Sequence, residues 1–186
     1  MGLAFLTTVS LGYHSTSKWY YIVAKIKEPA LVQAIKKSNQ MSLIESEKVV
    51  DEIYLEQPNL LASVLVQNQM GNKIEDVDVL LNILIVTFLA LKYSNVKLEM
   101  ITENLQEKEM AKYAGHFEFI EGLDQENTGE AINQFTDNKS EKLLFAYVVG
   151  AMMEAGFTKR KNESAKYLLM TGINIVNCVC VAKTTE

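Results

Sequence analysis

Arginine is almost missing from this chain: of 18 basic residues, Arg160 alone is an arginine and the rest are lysine. Guanidinium forks hold phosphates and guanine edges bidentately, and a net charge of −5 repels a phosphate backbone. Nucleic acid is therefore not an expected partner, and the run Lys159–Arg160–Lys161 reads as a solvated turn between helices. Cysteine is scarce as well. Cys178 and Cys180 stand two apart, and on a helix such positions point about 200° away from each other, too far to bridge. With no disulfide framework, a reducing, cytoplasmic setting is expected. Histidine occurs twice, as His14 and His116. Neither follows a glutamate at the spacing of di-iron bundles, and the two cysteines add no zinc-ligand spacing to them. His116 shares a helical side with Lys112 and Glu109 and is expected to face solvent. Phosphate-cradling glycine loops, nucleophile elbows and zinc-protease signatures are all absent. No catalytic residue, metal or cofactor is assigned.

Long apolar runs are missing too. Val79–Leu91 has thirteen residues without a charge, about 20 Å of helix against a hydrocarbon core of about 30 Å. Lengthening it takes in Asp76, Asp78 and Lys92. A second apolar stretch, Tyr167–Ala182, carries Thr171, Asn174 and Asn177 at every third position, a polar stripe that lipid would penalise. Both read as central helices of a bundle. The opening MGLAFLTTVSLG lacks the basic start and cleavage site of a secretion signal, and Leu6 stands where a myristoylation motif needs Ser or Thr.

What is present is helix punctuation. Ser42–Glu45 has capping-box spacing and opens a helix over 43–56, with Val49, Val50, Ile53 and Tyr54 on one side and Lys48 supporting Glu52 on the other. Pro58 opens the next helix, which Gly71 closes. Asn72–Glu75, again with capping-box spacing, starts the apolar helix that ends at Ser94–Asn95. An amphipathic stretch covers 97–121, a loop 122–130, and a short helix 130–136. Asn138–Glu141 caps a helix closed by Gly156, and a last helix covers 162–182. Pro29 suits the first turn of a helix over 29–38. Before it, KWYYIVAKIK is compatible with a helix or with a β-strand paired to LAFLTTVSL; the helical reading follows the rest of the chain.

Leu60–Val86 and Leu143–Val176 have a common order: Leu-Leu, a helix ending near Met and Gly, a turn, a Glu, then Leu-Leu in an apolar helix. Two helical hairpins paired about a pseudo-twofold axis would produce this, as would capped hairpins in general.

Carboxylates are the remaining chemical material. Glu52 and Glu56 lie one turn apart, a spacing that can chelate a divalent ion or share a proton, or form a solvated acidic face. The amides Asn82, Asn174 and Asn177 sit within apolar helices, where they fix register between helices or orient a polar ligand. The expected architecture is an all-α, single-domain helical bundle of six or seven helices, with residues 29–186 as the helical domain and 1–28 as an N-terminal segment. The expected function is a non-enzymatic protein-interaction or scaffold module that self-associates as a homodimer, without nucleic acid or membrane. The alternative is a small helical metal- or ligand-binding protein, or a hydrolase, using Glu52 and Glu56, with Asn82 and Asn174 as further ligand contacts.

Overall fold

The computed structural model describes residues 24–121, 140–160 and 162–185. Seven α-helices occur among them: α1 (Glu28–Gln40), α2 (Leu43–Glu56), α3 (Pro58–Gln69), α4 (Ile74–Tyr93), α5 (Glu103–Glu121), α6 (Lys142–Glu154) and α7 (Glu163–Val181). A 3-10 turn, Phe157–Lys159, links α6 to α7. The all-α bundle expected from the helix punctuation is the fold. His14, the strand or helix before residue 24 and the short helix over 130–136 lie outside the described residues, as does the side chain of His116.

The two apolar stretches become the centre. α4 and α7 pack on each other; α1 and α3 lie along α4, α6 and α5 along α7, and α2 lies over α3 and α4. Leu80, Ile83, Leu84, Leu168, Ile175 and Val176 are buried between them. α7 is long and apolar enough to cross a bilayer, but 67% of its apolar window is enclosed by neighbouring helices. Those neighbours do for its apolar surface what lipid would otherwise do. At the crossing, Gly172 of α7 comes so close that a Cβ built there would lie 2.6 Å from Met152 Sδ and 3.4 Å from Leu80 Cδ2.

Helix ends follow the punctuation in part. The Ser42 hydroxyl accepts from the Glu45 amide while the Glu45 carboxylate accepts from the Ser42 amide, a complete capping box. Lys37 of α1 also holds Glu45, and the Lys37 and Ser42 hydrogen bonds bring its carboxyl down to about 2. Gly71 and Gly156 take left-handed φ values of 88° and 75° where the hairpins turn. The other two expected caps are not formed. α4 begins at Ile74 behind Lys73, and Asn72, one residue too early to cap it, donates to Gln67 Oε1 at 3.2 Å. Glu141 is buried at the start of α6, where its carboxylate accepts from the backbone amides of Lys25 (2.6 Å) and Ile26 (3.2 Å).

Residues 25–27 thereby tie three helix ends together. Lys25 Nζ donates to the carbonyls of Val179 (2.6 Å) and Cys180 (2.8 Å) at the end of α7, where a cation meets the negative helix terminus. The Lys27 amide donates to Ser94 Oγ at the end of α4. Burial lowers the Lys25 pKa, opposed by Glu141 and Cys180.

The amphipathic stretch over 97–121 is not one helix. α5 starts at Glu103, and Leu98 and Ile101 are buried on an extended segment before it. Leu98 forms an isolated antiparallel bridge with Thr184. On the other side of this segment Gln57 Nε2 donates to the Glu99 carbonyl (3.1 Å) and Gln57 Oε1 accepts from the Ile101 amide (2.8 Å), as a neighbouring strand would. Arg160 is exposed in the turn between helices, as expected, and it also reaches out of that turn. Its two terminal nitrogens bond both Asp76 oxygens, at 2.6 and 2.9 Å, and its guanidinium lies 5.1 Å from the Phe157 ring centroid. The sole arginine thus fastens the α6–α7 connection to the first turn of α4.

The two hairpins match in burial, one residue out of register with their Leu-Leu pairs. Leu60, Leu61 and Val64 are buried in α3, and Leu144, Phe145 and Val148 in α6, whereas Leu143 is exposed. The packing is reciprocal: α3 contacts α7 and α6 contacts α4. Between its glycine and its second apolar helix the second hairpin has the turn Phe157–Lys159, which buries Phe157.

The crossing at Gly172 leaves no room for a branched side chain. Gly172→Val should lower stability by about 1–3 kcal/mol through overpacking. In a Met152→Ala background the loss should shrink, because the opposing sulfur is gone. Denaturant titration of the four proteins in this cycle measures the coupling, and full additivity would refute the close contact.

Candidate functional site

Glu52 and Glu56 project from α2 towards the end of α4 and the segment after it. Glu52 pairs with Lys92 at 2.5 Å, not with Lys48, and Glu56 faces Lys97 at 3.8 Å. Each carboxylate thus has its own ammonium, and both pairs are substantially solvent-exposed. Among the described residues no group of three or more histidine, cysteine or acidic side chains is placed to hold a metal ion. Beside Glu56 lies an open groove of about 340 Å³ whose floor includes Phe88, Leu91 and Leu98 and whose rim carries Lys92 and Lys97. Beneath it, Gln57, Phe88, Leu91 and Leu98 also line a void of about 20 Å³, about the size of a single water site.

The amides lie elsewhere. Asn82 on α4 accepts a hydrogen bond from Ser38 of α1. Asn174 on α7 is buried and donates to the Gln106 carbonyl of α5 at 3.1 Å, and its Oδ1 has no hydrogen-bond partner among the described residues. One turn back, Thr171 accepts from Gln67 of α3 at 3.1 Å. The four sequence candidates therefore occupy three different interfaces: Glu52 and Glu56 on the α2 side, Asn82 between α4 and α1, and Asn174 between α7 and α5. They do not converge. The polar stripe of α7 instead runs against α5 and α3, with each hydrogen bond crossing from one helix to another, the geometry of register pins.

Two further polar groups are buried in this region. Glu109 on α5, expected on a solvent face with His116, is buried and pairs with Lys112 at 2.5 Å. Cys178 is fully buried near it; burial, then the Glu109 and Cys180 charges, push its thiol up to about 12. Such a thiol is scarcely ionised at neutral pH and has the character of a packing residue. Gln57 carried a faint signal: a lone amide wedged between two helices just before Pro58, where its side chain is free to serve another segment.

Comparisons with protein-family models, with curated proteins and with solved structures find no match to the chain.

Gln57 and the two glutamates lie side by side but differ in burial, and their substitutions should differ accordingly. Gln57→Ala leaves the Ile101 amide and a carbonyl unmet, which should cost about 1–3 kcal/mol. Amide hydrogen exchange at Ile101 should quicken in step. Glu52→Gln and Glu56→Gln should each stay within about 1 kcal/mol of the parent, as exposed pairs do. A Gln57→Ala protein as protected at Ile101 as the parent would contradict the strand-like role of that side chain.

Proposed function

We propose that the protein is a non-enzymatic, helical protein-interaction module. The observation that carries this reading is the poor burial of α2. Of its fourteen residues only Ile53 is fully buried, while Leu43, Ile44, Tyr54 and Leu55 are 76%, 65%, 64% and 79% exposed. Leu43, Leu55, Ile44 and Tyr54 are more open to solvent than any other large apolar side chain among the described residues. Tyr54 was expected to turn inward with Ile53; outward, it enlarges that surface. Clustered exposed apolar side chains on one element mark interaction surfaces more often than scattered single ones do.

The homodimer was expected on the strength of two apolar helices that carry amides. Their apolar faces are covered by helices of the same chain, so a second copy would have to use another surface, and α2 is the one left open. The test is a photo-reactive amino acid at Leu55, with Lys36 on the outer side of α1 as control, in cells that make the chain naturally. Leu55 should yield discrete adducts that vanish with Leu43→Ser and Ile44→Ser, and Lys36 should not. A chain that remains at its own mass from both positions would overturn the module reading.

The groove beside Glu56 favours a second reading, a small ligand- or metal-binding protein using Glu52 and Glu56. A Glu52→Gln, Glu56→Gln double variant with unchanged metal content in elemental analysis of the purified protein would remove the metal form of it.

A further inference from the structure

The charges on α2 go further than its apolar residues. The helix has five acids, Glu45, Glu47, Asp51, Glu52 and Glu56. Three have a cation from another element: Lys37 for Glu45, Lys92 for Glu52, Lys97 for Glu56. Glu47 and Asp51 form no ion pair with any described residue, and both are exposed. They stand four apart, a spacing at which like charges repel along a helix. At about 100° per residue, Leu43, Tyr54, Ile44 and Leu55 span an arc of about 120°, and Glu47 and Asp51 fall inside it. Lys48 falls just beyond its edge. Along the axis the face reads as an apolar pair, two acids, and a second apolar pair about 16 Å from the first.

We propose that this face of α2 receives a basic amphipathic helix of a partner protein, which places an apolar side chain over each pair and lysine or arginine between them. The proposal rests on the interaction-module reading and adds the chemistry of the partner. Two exposed apolar pairs three turns apart match the anchor spacing of helix-on-helix recognition. The uncompensated acids between them select the charge of what lies on top, since opposite potentials attract and like charges are excluded. The same acids disfavour a second copy of α2: paired antiparallel, Glu47 of one chain would meet Asp51 of the other.

The probe is a fluorescein-labelled helical peptide of about 16 residues, leucine-paired at both ends with lysines between, titrated into the full chain at low and high salt. A glutamate-for-lysine counterpart serves as control. The lysine peptide should bind saturably and lose affinity by about tenfold or more with Glu47→Lys and Asp51→Lys, and again with Leu43→Ser and Leu55→Ser. The counterpart should not bind. Circular dichroism confirms that these surface variants are folded. Equal binding of the two peptides, or indifference to the Glu47 and Asp51 changes, overturns the proposal. Adducts from Leu55 in cells without binding of the lysine peptide overturn the partner chemistry and leave the module reading standing. A dimer in sedimentation equilibrium that Leu55→Ser abolishes overturns it in favour of a second copy.

Discussion

Two helices that are apolar nearly all round have to be enclosed, and the arrangement of the bundle follows from that. An apolar side chain gains roughly 25 cal/mol for each Å² withdrawn from water, so α4 and α7 are the largest source of driving force in the chain. A helix of that kind needs neighbours on every side. α1, α3, α5 and α6 supply them, and α4 and α7 cover each other. At the crossing Gly172 stands against the side chains of Met152 and Leu80, which a larger residue would have to displace. The stripe Thr171, Asn174 and Asn177, unwelcome in hydrocarbon, becomes useful in a protein interior. There it hydrogen-bonds to α3 and α5 and penalises sliding of one helix along another.

Enclosure fixes which faces point inward, and a few buried polar ties fix where the helix ends stop. Glu141 receives the amides of Lys25 and Ile26, Lys25 caps the end of α7, Arg160 grips Asp76, and Gln57 braces residues 98–101. Each joins segments far apart in the chain, and each satisfies a backbone or charged group that burial would otherwise leave unmet. α2 is the exception. Its contacts are confined to one edge of the bundle, so Ile53 is its single buried residue and, among the described residues, its large apolar side chains are the most exposed.

Much of this is legible in the sequence. The bounds of α2 follow from the Ser42–Glu45 box and Pro58, the ends of α3 and α6 from Gly71 and Gly156, and the burial of Val79–Leu91 from its length. These are local effects, decided by residues within a turn or two of each other. The misreadings share a cause. Asn72 and Glu141 have capping chemistry at capping spacing, yet other partners hold their side chains: Gln67, five residues back, for Asn72, and the distant amides of Lys25 and Ile26 for Glu141. Leu98 and Ile101 have helical spacing, yet the amide of Gln57 offers that stretch the hydrogen bonds of an extended segment. Glu109 looked like a surface residue because it shares a helical side with Lys112 and His116. As for the candidate site, sequence identified its residues one by one and could not say that Glu52, Asn82 and Asn174 face different neighbours.

The sequence by itself determined that the chain is helical, where most helices begin and end, and which two must lie at the centre. Periodicity, caps and hydrophobic length are properties of short windows. Only the tertiary structure decided which polar groups became ties and which stayed free. Glu45 has its capping-box position, but Glu52 and Glu56 are chemically like Glu47, and nothing within α2 sets those three apart. Lysines brought in by α1, α4 and the segment after α4 neutralise Glu45, Glu52 and Glu56. Among the described residues no such neighbour pairs with Glu47 or Asp51, and on the proposed reading that placement is what makes this face a recognition surface.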